Sequence, residues 1–195
     1  AESGLLHDPY LRRILNSENE EGESYSVQFH TQDTTSLNQW LQQEGHLSTE
    51  VNPADEIATW CYAYARKAID QARPILRQLA ERYPLVLVSN FYGNIESVLH
   101  DFDLDGLFGS IVESAVVGVR KPNPAIFQMG VDRLGMQPEE VVVIGDSYDK
   151  DIVPATQIGC QTIWLKSIGW APYRGDETAD AVLADFQELK AIFGL

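Results

Sequence analysis

Three short stretches place oxygen donors or a cation where an apolar run gives way to a loop, and each could handle a phosphate or a hard metal ion. LVLVSN ends in Ser89 and Asn90, and FYGN then supplies a glycine before a helix that begins near Asn94. A hydroxyl and exposed N–H groups at such a point suit a phosphoryl oxygen, and they equally suit a capped turn. GVRKPNP holds Lys121 directly before a proline, which biases the lysine to an extended backbone and fixes the direction of its stem. Its ammonium would neutralise an anion in a site or stand solvated on the surface. VVVIGDSYDKD ends in Gly145, which lets the backbone turn, then Asp146 and Ser147, with Asp151 five positions after Asp146. A carboxylate there suits Mg²⁺, which takes oxygen ligands and typically only one or two protein carboxylates. The same aspartate would serve as a helix N-cap, with Asp149 and Asp151 as favourable charges at the helix start.

The elements that would position these residues follow from the apolar pattern. From about residue 72, helices alternate with short apolar runs rich in β-branched residues: LVLVSN at 85–90, SIVES at 110–114, VVVIGDS at 141–147 and TIWL at 162–165. Continuous apolar runs between helices predict strands buried on both faces, hence a parallel sheet covered by helices. In such a sheet ligands bind at the carboxyl ends of the strands, where all three stretches fall. Pro74 is expected to start a helix that buries Ile75, Leu76 and Leu79. Asn123-Pro124 starts another, carrying Ile126, Phe127 and Val131 and stopping at Gly135. ADAVL and DFQELKAIFGL make a last strand and closing helix.

Residues 1–71 read as a small, mostly helical module. Asp8-Pro9 opens a short helix carrying Tyr10, Leu11, Ile14 and Leu15, and SYSVQFH at 24–30 alternates like a half-wet strand. Leu37, Trp40 and Leu41 form a helical stripe closed by Gly45. Asn52-Pro53 opens a helix whose Ile57, Trp60, Cys61 and Tyr64 share a face, and Trp40 and Trp60 are read as core residues.

Composition narrows the partners. Twenty-nine Asp and Glu against 14 Lys and Arg give a formal charge of -15, a surface that repels nucleic-acid backbones and anionic membranes. A small anion would need a local nest of donors, a lysine and a cation to overcome that field. Two cysteines, Cys61 and Cys160, are too few for a disulfide framework, so buried thiols in a reducing cytoplasm are expected. No run approaches membrane-spanning length, and the start AESGLLHDPY has neither the basic end nor the apolar stretch of a secretory signal.

In order, the serine after one strand, the Lys-Pro on a loop and the GDS-x-x-x-D after a further strand resemble the second, third and fourth motifs of the haloacid dehalogenase-like hydrolases. The run FDLDGLFGSIVESAVVGVRKPNPAIFQ is similar to that family's passage from the second motif into the third, and the likeness covers roughly residues 72–195. The resemblance implies an α/β, three-layer Rossmann-like core with a parallel sheet at 72–195 and a small helical cap at 1–71. It implies a Mg²⁺-dependent phosphatase of a small phosphorylated metabolite, working through an aspartyl-phosphate. By the same resemblance Ser89 and Asn90 bind the phosphoryl group, Lys121 stabilises both it and the nucleophile, Asp146 holds Mg²⁺, and Asp151 supports that carboxylate or Lys121. Dehalogenases of the family lack the metal-binding aspartate, which favours the phosphatase branch.

The family's first motif, D-x-D-x-T after a central first strand, carries the attacking aspartate, and no such segment precedes the cap here. Its absence would leave two neighbouring strands with unpaired backbone groups, each costing about 1–3 kcal/mol if buried. Asp103-Leu104-Asp105-Gly106 is no substitute, because HDF rather than an apolar strand precedes it, and Asp103 and Asp105 read as turn residues. An omitted upstream segment, a strand donated by a partner and a rearranged sheet are the three explanations. The rival from another class is a non-catalytic binding or scaffolding relative, and a flavodoxin-like cofactor binder would leave the ordered motif set unexplained.

Overall fold

The computed structural model describes residues 54–166 and 175–195. The chain divides into two units, Ala1–Ala68 and Ile69–Leu195. The helix at 8–15, the strand at 24–30 and the stripe around Trp40 lie outside the described residues.

Helix α1 (Ala54–Arg82) begins just after Asn52-Pro53, but it does not restart at Pro74. One helix of 29 residues runs through that proline. An interior proline removes a hydrogen bond and costs about 3 kcal/mol, so both sides of it must be anchored. Immediately before it, Arg73 donates to the Phe102 carbonyl at 2.8 and 3.2 Å and pairs with Asp70 at 2.7 Å. Immediately after it, Ile75 and Leu79 are buried. Burying such a side chain contributes about 1.5–3 kcal/mol, so these two offset the missing bond. In the first unit, Trp60 and Tyr64 are exposed, and their rings stack on one another at 5.7 Å. The expectation that Trp60 is a core residue is therefore corrected: helical spacing brings the two aromatics together, one turn apart, without burying them.

In the second unit the strands are parallel, as their apolar runs require. Strand β1 (Val86–Ser89) leads through α2 (Ile95–Asp101) to β2 (Ser110–Glu113), with Val86 opposite Ser110 and Ser89 opposite Glu113. A four-residue helix, α3 (Ser114–Val117), precedes α4 (Ala125–Leu134), which follows Asn123-Pro124 and ends at Gly135 in the left-handed region, φ 66°. Strand β3 (Val142–Gly145) is followed by a π-helical turn (Tyr148–Ile152), α5 (Val153–Gln157), β4 (Gln161–Leu165) and β5 (Ala181–Leu183). A final helix, α6 (Leu189–Phe193), closes the described chain. Asp103 sits in the turn after α2 at φ 56°, as a turn residue.

Two apolar layers cover these strands. On one, α1 and α6 pack Ile75, Leu79 and Leu189 against Ile163 of β4 and Leu183 of β5. On the other, α4 packs Ile126 and Phe127 against Val112, Val86 and Val88, while Val131 meets Val141, Ala155 and Cys160. The result is an α/β unit of helices, sheet and helices.

Among the described residues the sheet is in two pieces: β1 pairs with β2, and β3 pairs with β4, which pairs with β5. The facing edges of β1 and β3 carry no ladder among the described residues. Between them lies a cavity of about 470 Å³ lined by Val86 and Val88 on one side, Val142 and Ile144 on the other, and Leu79 and Phe127 from the helical layers. Val142 and Ile144 are each 37% exposed, although their residue types and neighbours are those of an interior strand. No helix among the described residues is long and apolar enough to cross a membrane.

Candidate active site

The carboxyl ends of β1 and β3 are joined by one bonded chain of side chains. At the end of β1, Ser89 is followed by Asn90, whose amide grips both polar groups of Lys121's backbone. Asn90 Nδ2 donates to the Lys121 carbonyl at 3.0 Å, and Lys121 N–H donates to Asn90 Oδ1 at 2.7 Å. The lysine's other end is fixed as well: Nζ donates to Asp151 Oδ1 at 2.7 Å, with the two side chains only 18% and 6% exposed. The second carboxylate oxygen, Oδ2, accepts the Ser147 N–H at 3.0 Å. Asp146 precedes Ser147, so Ser89 and Asp146 stand at the two ends of this chain.

Gly145 makes the last link possible, and for a reason other than turning. A Cβ on Gly145 would lie 2.4 Å from Asp151 Cβ, so the strand end has no room for a side chain beside that carboxylate. Asp151 sits in the π-helical turn rather than the first turn of an α-helix, and it is buried. It accepts two hydrogen bonds, one of them charge-assisted, which is what a buried carboxylate requires.

The loop after β1 is shaped from β2. Ser114 Oγ accepts the Phe91 N–H at 3.1 Å and donates to the Phe91 carbonyl at 3.1 Å, while the buried Glu113 accepts the Gly93 N–H. These two residues end the run SIVES and were legible by the same rule that singled out Ser89 and Asp146: polar residues where a strand stops.

Asp146 is exposed, and among the described residues no hydrogen bond or ion pair occupies its carboxylate. Asp151 has both oxygens occupied, and no group of three or more His, Cys, Asp or Glu converges among the described residues. One exposed hard carboxylate at a strand end fits Mg²⁺, which keeps several waters and takes phosphate oxygens, and does not fit an all-protein metal cage. The thiols stand apart from this chemistry: Cys160 is buried in the α4–β3 layer, and burial pushes its pKa up, as it does that of half-buried Cys61.

This parallel α/β unit, with its polar residues gathered at the strand ends, has the layout of a Rossmann-like hydrolase. Residues 11–159, more than half of the chain, match the family model of the haloacid dehalogenase-like hydrolases, and the chain belongs to that family. Glyceraldehyde 3-phosphate phosphatase of Pyrococcus furiosus is 29% identical over 132 residues, 66% of this chain and 55% of its own length. The 5-amino-6-(5-phospho-D-ribitylamino)uracil phosphatase YigB of Escherichia coli is 27% identical over 165 residues, 82% of this chain and 66% of its own. The crystal structure of a HAD phosphatase from Thermococcus onnurineus is 30% identical and matches with a TM-score of 0.56, over 62% of this chain and 55% of that one. The chain thus spans about half the length of the first of these curated relatives.

Proposed function

We propose that this chain carries the phosphate- and Mg²⁺-handling part of a cytoplasmic phosphatase acting on a small phosphomonoester. The observation that carries the reading is the bonded chain Asn90–Lys121–Asp151–Ser147, which holds the lysine backbone to the residue after Ser89 and its ammonium to the turn that follows Asp146. In this reading Ser89 donates its hydroxyl to a phosphoryl oxygen, and Lys121 neutralises charge on the same group. Asn90 acts through Lys121, because its own amide is occupied by the lysine's backbone. Asp151 keeps the ammonium charged and aimed. Asp146 is the carboxylate that would hold Mg²⁺, and the cation when bound supplies charge stabilisation on the phosphoryl oxygens.

Covalent phosphoryl transfer also needs a carboxylate in line with the phosphorus. In this reading the cavity between β1 and β3 accommodates the strand that brings it: neither edge carries a ladder among the described residues, the walls are mostly apolar, and both carboxyl ends are bonded to Lys121. Residues 1–71 serve in this reading as the cap module. The phosphatase names of the relatives support the reaction class; they leave the substrate open.

The experiment is a panel of phosphomonoesters, assayed for phosphate release with and without Mg²⁺, on the chain extended upstream by a strand and a D-x-D-x-T loop. Mg²⁺-dependent release, lost in Asp146→Asn, supports the reading. Tight phosphate binding with no turnover on any substrate favours the non-catalytic relative instead.

A further inference from the structure

The geometry points to Trp164 as the positioning residue for the Asp146 carboxylate, an assignment that rests on the Mg²⁺-binding reading of Asp146. The β3–β4 ladder ends at the pair Gly145 and Trp164. One residue further, the carbonyl of Asp146 has left the ladder, and the indole Nε1–H of Trp164 donates to it at 3.1 Å. The amide on the other side of that peptide group is also held, since Ser147 N–H donates to Asp151 Oδ2 at 3.0 Å. The peptide joining Asp146 to Ser147 is therefore pinned at both its oxygen and its nitrogen, which fixes ψ of Asp146 and with it the direction in which the side chain leaves the backbone.

Trp164 is suited to the task. An indole has one donor and no acceptor, so it offers the carbonyl a single orientation. At 1% exposure the ring cannot swing away. Its face is further contacted by Tyr148 at 5.1 Å and by Lys166 Nζ at 4.9 Å from the ring centroid. Tyr148 lies two residues after Asp146, and its hydroxyl accepts the Thr178 N–H at 3.1 Å. The turn carrying Asp146 is thus tied to β4 on both sides of the aspartate. A loosened Asp146–Ser147 peptide would let the carboxylate sample directions useless for a cation and lower its affinity without unfolding the protein.

The test is calorimetric titration of the whole chain with Mg²⁺ alone, alongside thermal melting of each form. Trp164→Phe keeps an aromatic ring and removes the donor; 3-benzothienylalanine at position 164 keeps the bicyclic shape and removes only the N–H. Ile163→Val, on the same strand but facing the α1 layer, reports plain destabilisation. Losing one hydrogen bond that orders the ligand should weaken Mg²⁺ binding by about fivefold in both donor-free forms. Ile163→Val should bind as the unaltered chain does, and Asp146→Asn should bind least. Wild-type affinity in the benzothienyl form overturns the role of Trp164 alone. Absence of Asp146-dependent binding in the unaltered chain overturns the metal reading and this inference with it.

Discussion

Replacing Gly145 with alanine drives a methyl group into the carboxylate that orients the lysine. The added carbon would lie 2.4 Å from Asp151 Cβ, 2.7 Å from Cγ and 2.9 Å from Oδ2. Carbon atoms in contact stand about 3.5–4.0 Å apart, so Asp151 or the end of β3 must shift by roughly 1 Å. Asp151 has little slack, since it is buried and its oxygens hold Lys121 Nζ at 2.7 Å and Ser147 N–H at 3.0 Å. A shift of that size breaks at least one of these bonds. Overpacking costs about 1–3 kcal/mol and a lost charged hydrogen bond about 1.5–3, which together give roughly 3–6 kcal/mol. For a chain of this size each kcal/mol moves the melting temperature by about 2–4 °C, so Gly145→Ala should fall by roughly 6–24 °C. Differential scanning calorimetry measures it, with Gly109→Ala as control, because a Cβ there meets only the Leu85 carbonyl at an ordinary 3.8 Å. Equal melting of Gly145→Ala and the parent would refute the close approach, and with it the account of how Asp151 is held.

Lys121→Met removes the cation from a mostly buried pair and leaves Asp151 with an uncompensated charge. The expected loss is about 3–5 kcal/mol in urea unfolding, and a loss under about 1 kcal/mol would count against the pair. The Asp180 carboxylate accepts the Thr162 N–H at 2.7 Å and the Thr162 hydroxyl at 3.0 Å, and these bonds hold its pKa below the usual 3.8. A depressed carboxylate stabilises the fold above its unfolded pKa and loses that contribution as pH falls through the folded value. Asp180→Ala should therefore melt below the parent at pH 6, with the gap closing as the pH drops well under 4; a gap that is constant with pH would contradict the assignment.

The parallel sheet and its helical layers could be read from the chain, because apolar runs such as VVVIG and TIWL leave no polar side for water, and because Asn123-Pro124 and Gly135 mark both ends of α4. The long-range anchoring of α1 could not. Pro74 reads as a helix start when only its own chemistry is considered; the Arg73 bond to the Phe102 carbonyl and the burial of Ile75 come from residues far along the chain. Gly145 was recognised for the wrong property, since its value lies in the space it leaves for Asp151. Trp164 lay hidden inside an apolar strand, where nothing in TIWL separates an indole that only packs from one that also donates to a neighbouring strand's end. Ser89, Asn90, Asp146 and Asp151 are legible as polar residues at or just past strand ends, and Lys121 by its place before a proline. Glu113 and Ser114, which end SIVES and hold the loop after β1, meet the same criterion.

The most direct measurement of the central claim is the rate of Mg²⁺-dependent phosphate release from p-nitrophenyl phosphate by three proteins: this chain, the chain extended by an upstream strand ending in D-x-D-x-T, and the extended chain with Asp146→Asn. The account predicts turnover from the extended chain alone, because in the proposed reading Ser89, Lys121 and Asp146 bind and polarise the phosphoryl group but do not attack it. Equal, Asp146-dependent turnover by the unextended chain would contradict it, and would place the nucleophile among residues already present.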